Sequence, residues 1–480
     1  MDQRLLDYIQ QQLSTIDERL KRFTYSFDGK TELPKRNKFS KLQEYIDNFT
    51  TKKSPSRMVI MPGFRGVGKT TLMAQLCASY KNLSEKKLNY LFVSVEDARN
   101  LFEADITDLL SAYEVILGES LATIKEPVYI FLDEIQSDPK WPVTLKTLFE
   151  KTTNVFFCCT GSSAVVLQKL ITGDLARRVI IEKLTPLSFT EYQMAKNNIS
   201  PSNNLKKEIG NALYFSDSAI DVFKNLESIK HLVHQYWAST NKQDIQKYLA
   251  HGSLPFSFSM PNETLIYESI SVLLDKVIEA DLPMLGSFDQ NTLQVVKRLL
   301  FVVAENDITS FKKLEQKFNI SWNTISRVFE ALEKAEILLK IPAYGTNMTV
   351  AKKPSKYLFL SPAIRMSFFY STGIEHTYLT RQGKLLEDAV GNHLYQEFKT
   401  TGRGDIRYDS QEGGADFILQ ILNKKQLVIE VGLGNKNLKQ IVTSSKKINS
   451  DYNIIFSNHE LELDKATNTI FVPLDYYFLQ

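Results

Sequence analysis

Gly63-Phe64-Arg65-Gly66-Val67-Gly68-Lys69-Thr70 fits the phosphate-binding pattern G-x-x-x-x-G-K-[ST] at every fixed position. An anionic phosphate must be wrapped by consecutive backbone N–H groups, and glycines at 63, 66 and 68 give the loop access to the positive φ values this requires. Lys69 adds a mobile cation for β- and γ-phosphates, and Thr70 offers a hydroxyl to Mg²⁺. The apolar run 58–61 predicts a strand entering the loop. Residues 71–80, with Leu72, Leu76 and Tyr80 at spacing four, predict the helix that leaves it. A helix N-terminus behind the loop places free N–H groups and the positive end of the helix dipole at the phosphate. The expected nucleotide contacts are therefore Gly63, Arg65, Gly66, Val67, Gly68, Lys69, Thr70 and Thr71, with ATP and Mg²⁺ as cofactors.

Further along, 88–95 reads as a β-rich run ending at Glu96-Asp97, and 128–132 as an apolar run ending at Asp133-Glu134. A buried parallel strand that delivers paired acids at its C-terminal end is where α/β sheets place ligands. In this Walker B arrangement Asp133 holds the Mg²⁺ of the ATP site together with Thr70, and Glu134 deprotonates the attacking water. A third run, 154–159, ends in Thr160-Gly161-Ser162-Ser163. A hydroxyl there either senses the γ-phosphate or the attacking water beside Asp133, with Thr160 as the candidate, or caps a helix over 164–170. Arg177 and Arg178 precede a fourth run, 179–184.

GFRGVGKT, FLDEIQ, Trp141, CCTGSS, ARR and LTPLSFTEY, in this order and spacing, resemble the prokaryotic AAA-type P-loop ATPases that carry a C-terminal nuclease-like domain of unknown function. The resemblance implies an α/β core of the AAA/ASCE type with a parallel sheet, a helical lid, and assembly as a homo-oligomer. It places Arg178 as an arginine finger reaching a neighbouring subunit's nucleotide, and makes Glu134, Lys69 and Arg178 the catalytic set. His251-Gly252-Ser253-Leu254-Pro255 resembles the Gly-Gly-Phe-Pro segment that follows the family's ATPase core.

The 480 residues divide into a helix and basic connector (1–55), an ATPase core (56–184), a helical lid (185–290), a winged helix (291–375) and a nuclease-like domain (376–480). Residues 1–55 read as one helix followed by a solvated basic stretch with Lys35, Arg36, Lys38 and Lys41. A net charge of +3 does not by itself announce a nucleic-acid binder. Three cysteines lack metal or disulfide spacing, and no run has the length of a membrane span or the core of a signal peptide. The expectation is a cytoplasmic protein without a membrane partner. His231 and His234 read as packing or surface residues, since no further ligands accompany them.

Between 309 and 366 ten Lys or Arg residues face four Glu, a basic surplus. Three predicted helices (293–304, 311–318, 322–334) are followed by two strands (337–341, 357–360) around Gly345. This is a winged helix-turn-helix, which serves either as a protein-interaction module or as a DNA contact through Asn323, Thr324 and Arg327. At the C-terminal end a helix over 383–398 carries Glu387, and two strand runs carry Asp416 and Glu430. Helix acid, strand Asp and neighbouring Glu resemble the metal-binding acids of the restriction-endonuclease-like α+β fold, whose motif is D…E-x-K. They form a possible second metal site. The Lys is absent: its position, two residues beyond Glu430 on the same sheet face, is Gly432, with Lys436 as a substitute. The functional readings are an ATPase acting on DNA, an ATP-driven assembly switch with binding modules, and an ATP-gated nuclease.

Overall fold

A computed structural model describes the chain except residues 1, 27, 53, 82–88, 163–173, 203, 372–376, 423–424 and 434–437. It forms two compact units, Met1–Thr185 and Pro186–Gln480.

The first unit is built on a five-stranded sheet: β1 (Met58–Gly63), β2 (Tyr90–Ser94), β3 (Val128–Asp133), β4 (Val155–Ser162) and β5 (Ile180–Ile181). Their order is β2-β3-β4-β1-β5, with every neighbouring pair parallel. β1, β3 and β4 are buried at every residue, the pattern of a parallel sheet covered on both faces, which is why they appear as continuous apolar runs. β4 lies between β1 and β3, and its register sets Thr160 opposite Met61 and Cys159 opposite Leu132. The ends of β1, β3 and β4 therefore meet at one edge.

The N-terminal segment corrects its expectation. In place of one helix and a solvated connector there are three helices, α1 (Gln3–Ser14), α2 (Ile16–Thr24) and α3 (Lys38–Lys52). Leu5 and Ile9 of α1 join the same buried cluster as Met58, Ile60 and Leu132. The basic residues are engaged: Lys38 and Lys41 pair with Glu182, and Tyr45 donates to the same carboxylate. Burial pushes Glu182 up, but the Lys41, Lys38 and Tyr45 donors outweigh it and hold its carboxyl below the usual range.

The second unit begins with short helices. The first, Phe189–Asn197, opens on a capping box in which Ser188 Oγ accepts from Glu191 N and Glu191 Oε2 accepts from Ser188 N, so the LTPLSFTEY segment holds a helix start. Helices Gln290–Glu305, Phe311–Phe318 and Trp322–Lys334 follow the predicted periodicity. Asn319, at φ 53°, ends the second and Ser321 caps the third, which fixes the turn between them. An antiparallel pair, β6 (Leu338–Ile341) and β7 (Lys356–Phe359), comes next.

A six-stranded sheet closes the chain: β8 (Gly404–Arg407), β9 (Phe417–Ile421), β10 (Gln426–Val431), β11 (Tyr452–Ser457), β12 (Glu462–Asp464) and β13 (Thr469–Pro473), in the order β12-β13-β11-β10-β9-β8. β10, β11 and β13 run parallel, while β8, β9 and β10 form an antiparallel meander. Helix Thr377–Leu394 carries Glu387 and Asp388. Asp388 and Arg365, both fully buried, are joined by two hydrogen bonds of 2.6 and 2.7 Å, and Asp307 takes a third guanidinium nitrogen. This geometry compensates charges that burial alone would disfavour.

Candidate active site

The loop after β1 turns through Gly66 (φ 82°) and Gly68 (φ 89°) into α4 (Lys69–Lys81). Leu72 N bonds Gly68 O, so the N–H groups of Lys69, Thr70 and Thr71 lie in the first turn, where no intrahelical acceptor exists. Gly63 serves differently from the sequence expectation. Its φ is not positive; a Cβ on it would lie 2.4 Å from the carbonyl oxygen of Leu184 and 3.2 Å from Val67. Close backbone approach, rather than handedness, requires glycine there.

Lys69 is buried, and its Nζ donates to Gly63 O (3.0 Å) and Phe64 O (3.3 Å), 3.9 Å from Glu134 Oε1. Thr70 Oγ1 donates to Asp133 Oδ2 at 2.8 Å. Thr160 Oγ1 donates to the other oxygen, Asp133 Oδ1, and accepts from Glu134 N at 3.1 Å. Burial pushes the Asp133 carboxyl above its ordinary value; the Thr160 bond opposes it, the charge of Glu134 adds to it, and Thr70 and Lys69 oppose it further. The structure thus brings Lys69, Thr70, Asp133, Glu134 and Thr160 together as the spacing predicts. Thr160, Gly161 and Ser162 belong to β4 itself, so Thr160 is no helix cap. Ser163 and the helix expected over 164–170 lie outside the described residues.

Two contributors escape sequence reading. Arg36, from the supposedly solvated connector, donates to Val67 O (3.0 Å) within the loop and to Thr185 O (2.8 Å). Gln136 donates from Nε2 to Glu134 Oε2 and accepts at Oε1 from Ser162 N, 3.2 Å away. An amide two residues beyond the acid was a possible signal for Gln136; nothing in the pattern marked Arg36. Arg178 pairs with Glu150 of its own chain at 2.7 Å. Arg65 is half-buried on the loop.

At the second candidate site the cation absent from Gly432 comes from elsewhere. Lys356 of β7 is buried, its ammonium in contact with Glu387 and 3.6 Å from Asp416 Oδ1. Asp416 Oδ2 accepts from Val431 N at 2.9 Å, tying it to the strand that carries buried Glu430. Glu387 and Asp416 thus flank an ammonium, and among the described residues no three His, Cys, Asp or Glu side chains are arranged to hold a metal ion. The substitute Lys436 lies outside the described residues.

On the three-helix array Asn323 is exposed, as a groove-reading residue must be. Arg327 is instead tied back, donating to Ser287 O at 2.9 Å over the ring of Phe288. Lys356 and Arg365, two of the ten basic residues, are interior. Cys77, Cys158 and Cys159 are free and buried. Among the described residues no helix is long and apolar enough to cross a membrane.

The span that one family profile matches contains both the loop and the acid pair. The family profile described as AAA domain matches residues 55–193, and a domain of unknown function, DUF8612, matches 242–375. The uncharacterized protein MJ1637 of Methanocaldococcus jannaschii is 32% identical over 435 residues, 90% of this chain and 86% of that one. An uncharacterized Haemophilus influenzae protein is 22% identical, with 67% of this chain and 72% of the other covered. Among solved structures, the Walker-type ATPase PABY2304 of Pyrococcus abyssi aligns with 72% of this chain and 98% of its own at 13% identity and a TM-score of 0.37. With nearly a third of its residues identical over nine-tenths of its length, this AAA-domain chain belongs to the family of Methanocaldococcus jannaschii MJ1637.

Proposed function

We propose that the chain is an oligomeric, Mg²⁺-dependent ATPase of the AAA type that acts on DNA or while bound to it. The observation that carries this reading is the meeting of Lys69, Thr70, Asp133, Glu134 and Thr160 at one sheet edge. The oxygens of Thr70 and Asp133, 2.8 Å apart, are the hard donors Mg²⁺ prefers, and they would hold it. The ion supplies charge neutralisation between β- and γ-phosphates. Lys69 would exchange its carbonyl partners for phosphate oxygens, Glu134 would take a proton from the attacking water, and Arg178 would leave Glu150 to reach a neighbour's nucleotide.

For DNA, the supporting features are the three-helix array with its β6–β7 wing and the exposed lysines 312, 313 and 317. The ammonium of Lys356 between Glu387 and Asp416 favours a C-terminal domain that binds over one that cuts. That favours, as a second reading, an ATP-dependent assembly switch whose later domains are binding modules.

The test is steady-state ATP turnover by the wild type, Lys69→Ala and Glu134→Gln, beside salt-dependent binding of duplex DNA by the wild type and by a variant with Lys312, Lys313 and Lys317 changed to Gln. Turnover should fall at least a hundredfold in both loop variants, and the triple variant should bind DNA more weakly with a shallower salt dependence. Turnover surviving Glu134→Gln would refute the ATPase. Identical DNA affinity in the triple variant would remove the DNA arm.

A further inference from the structure

Gln136 is 8% exposed, and both ends of its side-chain amide are used inside the site. An amide nitrogen only donates and its oxygen only accepts, so the bonds to Glu134 Oε2 and from Ser162 N fix which way the group lies. Glu134 itself sits in the left-handed region (φ 53°, ψ 51°), its N–H bonded to Thr160. Its backbone and one carboxylate oxygen are therefore both anchored on β4. The other oxygen, Oε1, faces Lys69 Nζ at 3.9 Å, the group that phosphate would draw away.

We propose that Gln136 is a positioning residue for hydrolysis: it holds Glu134 by Oε2 against β4 and leaves Oε1 as the oxygen that receives the proton. This rests on the ATPase reading above. In the step, an O–H bond of water breaks and its proton passes to Glu134 Oε1. The water oxygen bonds to the γ-phosphorus, and the bond to the bridging oxygen breaks, its electron pair leaving with ADP. Glu134 then returns the proton to solvent. A carboxylate without the Gln136 donor is free to rotate, and misplacement of a general base by an ångström is enough to lose much of its contribution.

The experiment is ATP turnover by the full chain between pH 5 and 9 for the wild type, Glu134→Gln, Gln136→Ala and Gln136→Glu. Fluorescent-nucleotide binding and thermal unfolding are measured on each. Gln136→Ala should lower kcat ten- to a hundredfold while KM and nucleotide affinity stay within about twofold. Gln136→Glu, close to isosteric, sets a second carboxylate against Glu134. Like charges disfavour the ionised form, so the acid limb of the rate profile should move up by about one pH unit or more.

In a chain whose turnover is lost in Glu134→Gln, a Gln136→Ala kcat within twofold of wild type overturns the proposal, as does an unmoved limb in Gln136→Glu. Should Gln136→Ala fail to fold, the Gln136→Glu profile decides alone. Absent wild-type turnover, or turnover indifferent to Glu134→Gln, marks failure of the ATPase reading itself, and the proposal falls with it.

Discussion

Thr160 shows what a single side chain does when two strand ends share it. It donates to Asp133 and accepts from the N–H of Glu134, so one hydroxyl stabilises the ionised form of the buried acid and fixes the backbone of its neighbour. Its donor opposes the rise in pKa that burial imposes on Asp133. Thr160→Val keeps the shape and removes the donor, so the Asp133 carboxyl should move further up. Mg²⁺ needs the ionised carboxylate, so the acid limb of Mg-nucleotide affinity, read as Kd between pH 4 and 8, should shift to higher pH. Affinity near neutral pH should fall less. An unmoved limb would show that Thr160 does not govern the acid. Lys69, Thr70, Asp133, Glu134 and Thr160 were legible in the sequence because phosphate chemistry dictates residue type and strand ends dictate position. Arg36 and Gln136 were not, because what matters in them is the partner that folding delivers. Gly63 was recognised for the wrong reason, its close contact with Leu184 being invisible in a linear pattern.

At the scale of elements, β7 supplies a neighbour for the acids near the C-terminus that their own strands do not announce. Period two along β10 points to Gly432, where a cation is missing, yet the ammonium arrives on Lys356 from a strand some seventy residues earlier. Sequence periodicity describes a strand and its faces; it does not say which other sheet abuts them. Lys356 is 5% exposed and also lies 5.1 Å from the ring centroid of Phe417, with Glu387 and Asp416 as its acidic partners. Lys356→Met should leave two carboxylates facing each other with no cation. The loss expected for breaking a buried pair is about 3–5 kcal/mol. Adding Glu387→Leu to Lys356→Met should recover part of it, as measured by denaturant unfolding of the single and double variants. A single variant as stable as wild type would mean the contact contributes nothing to folding. The helices and the strand pair of residues 290–359 were more readable, because caps at Asp289 and Ser321 and the left-handed Asn319 are local signals.

For the whole molecule, each of the two compact units carries its own response to solution conditions. The first holds the nucleotide loop, so a ligand that binds only its folded form should raise its unfolding temperature by mass action. The second contains His393, packed between Tyr214 and Tyr477. Burial lowers its pKa to about 3, with the charge of Lys206 adding to the effect and the nearby Gln480 side chain opposing it. Since the folded value lies below the ordinary 6.5, the unfolded state binds the extra proton between those two values. Stability is therefore complete above about pH 6.5 and is lost as pH falls towards 3, by at most about 1.4 kcal/mol per pH unit for this one group. Calorimetry of the full chain should then show two transitions, one raised by Mg-ATP and the other lowered between pH 6.5 and 4. His393→Phe should flatten the pH dependence of the second transition and leave the nucleotide response of the first unchanged. A pH slope identical in His393→Phe and wild type would assign the acid sensitivity to other groups.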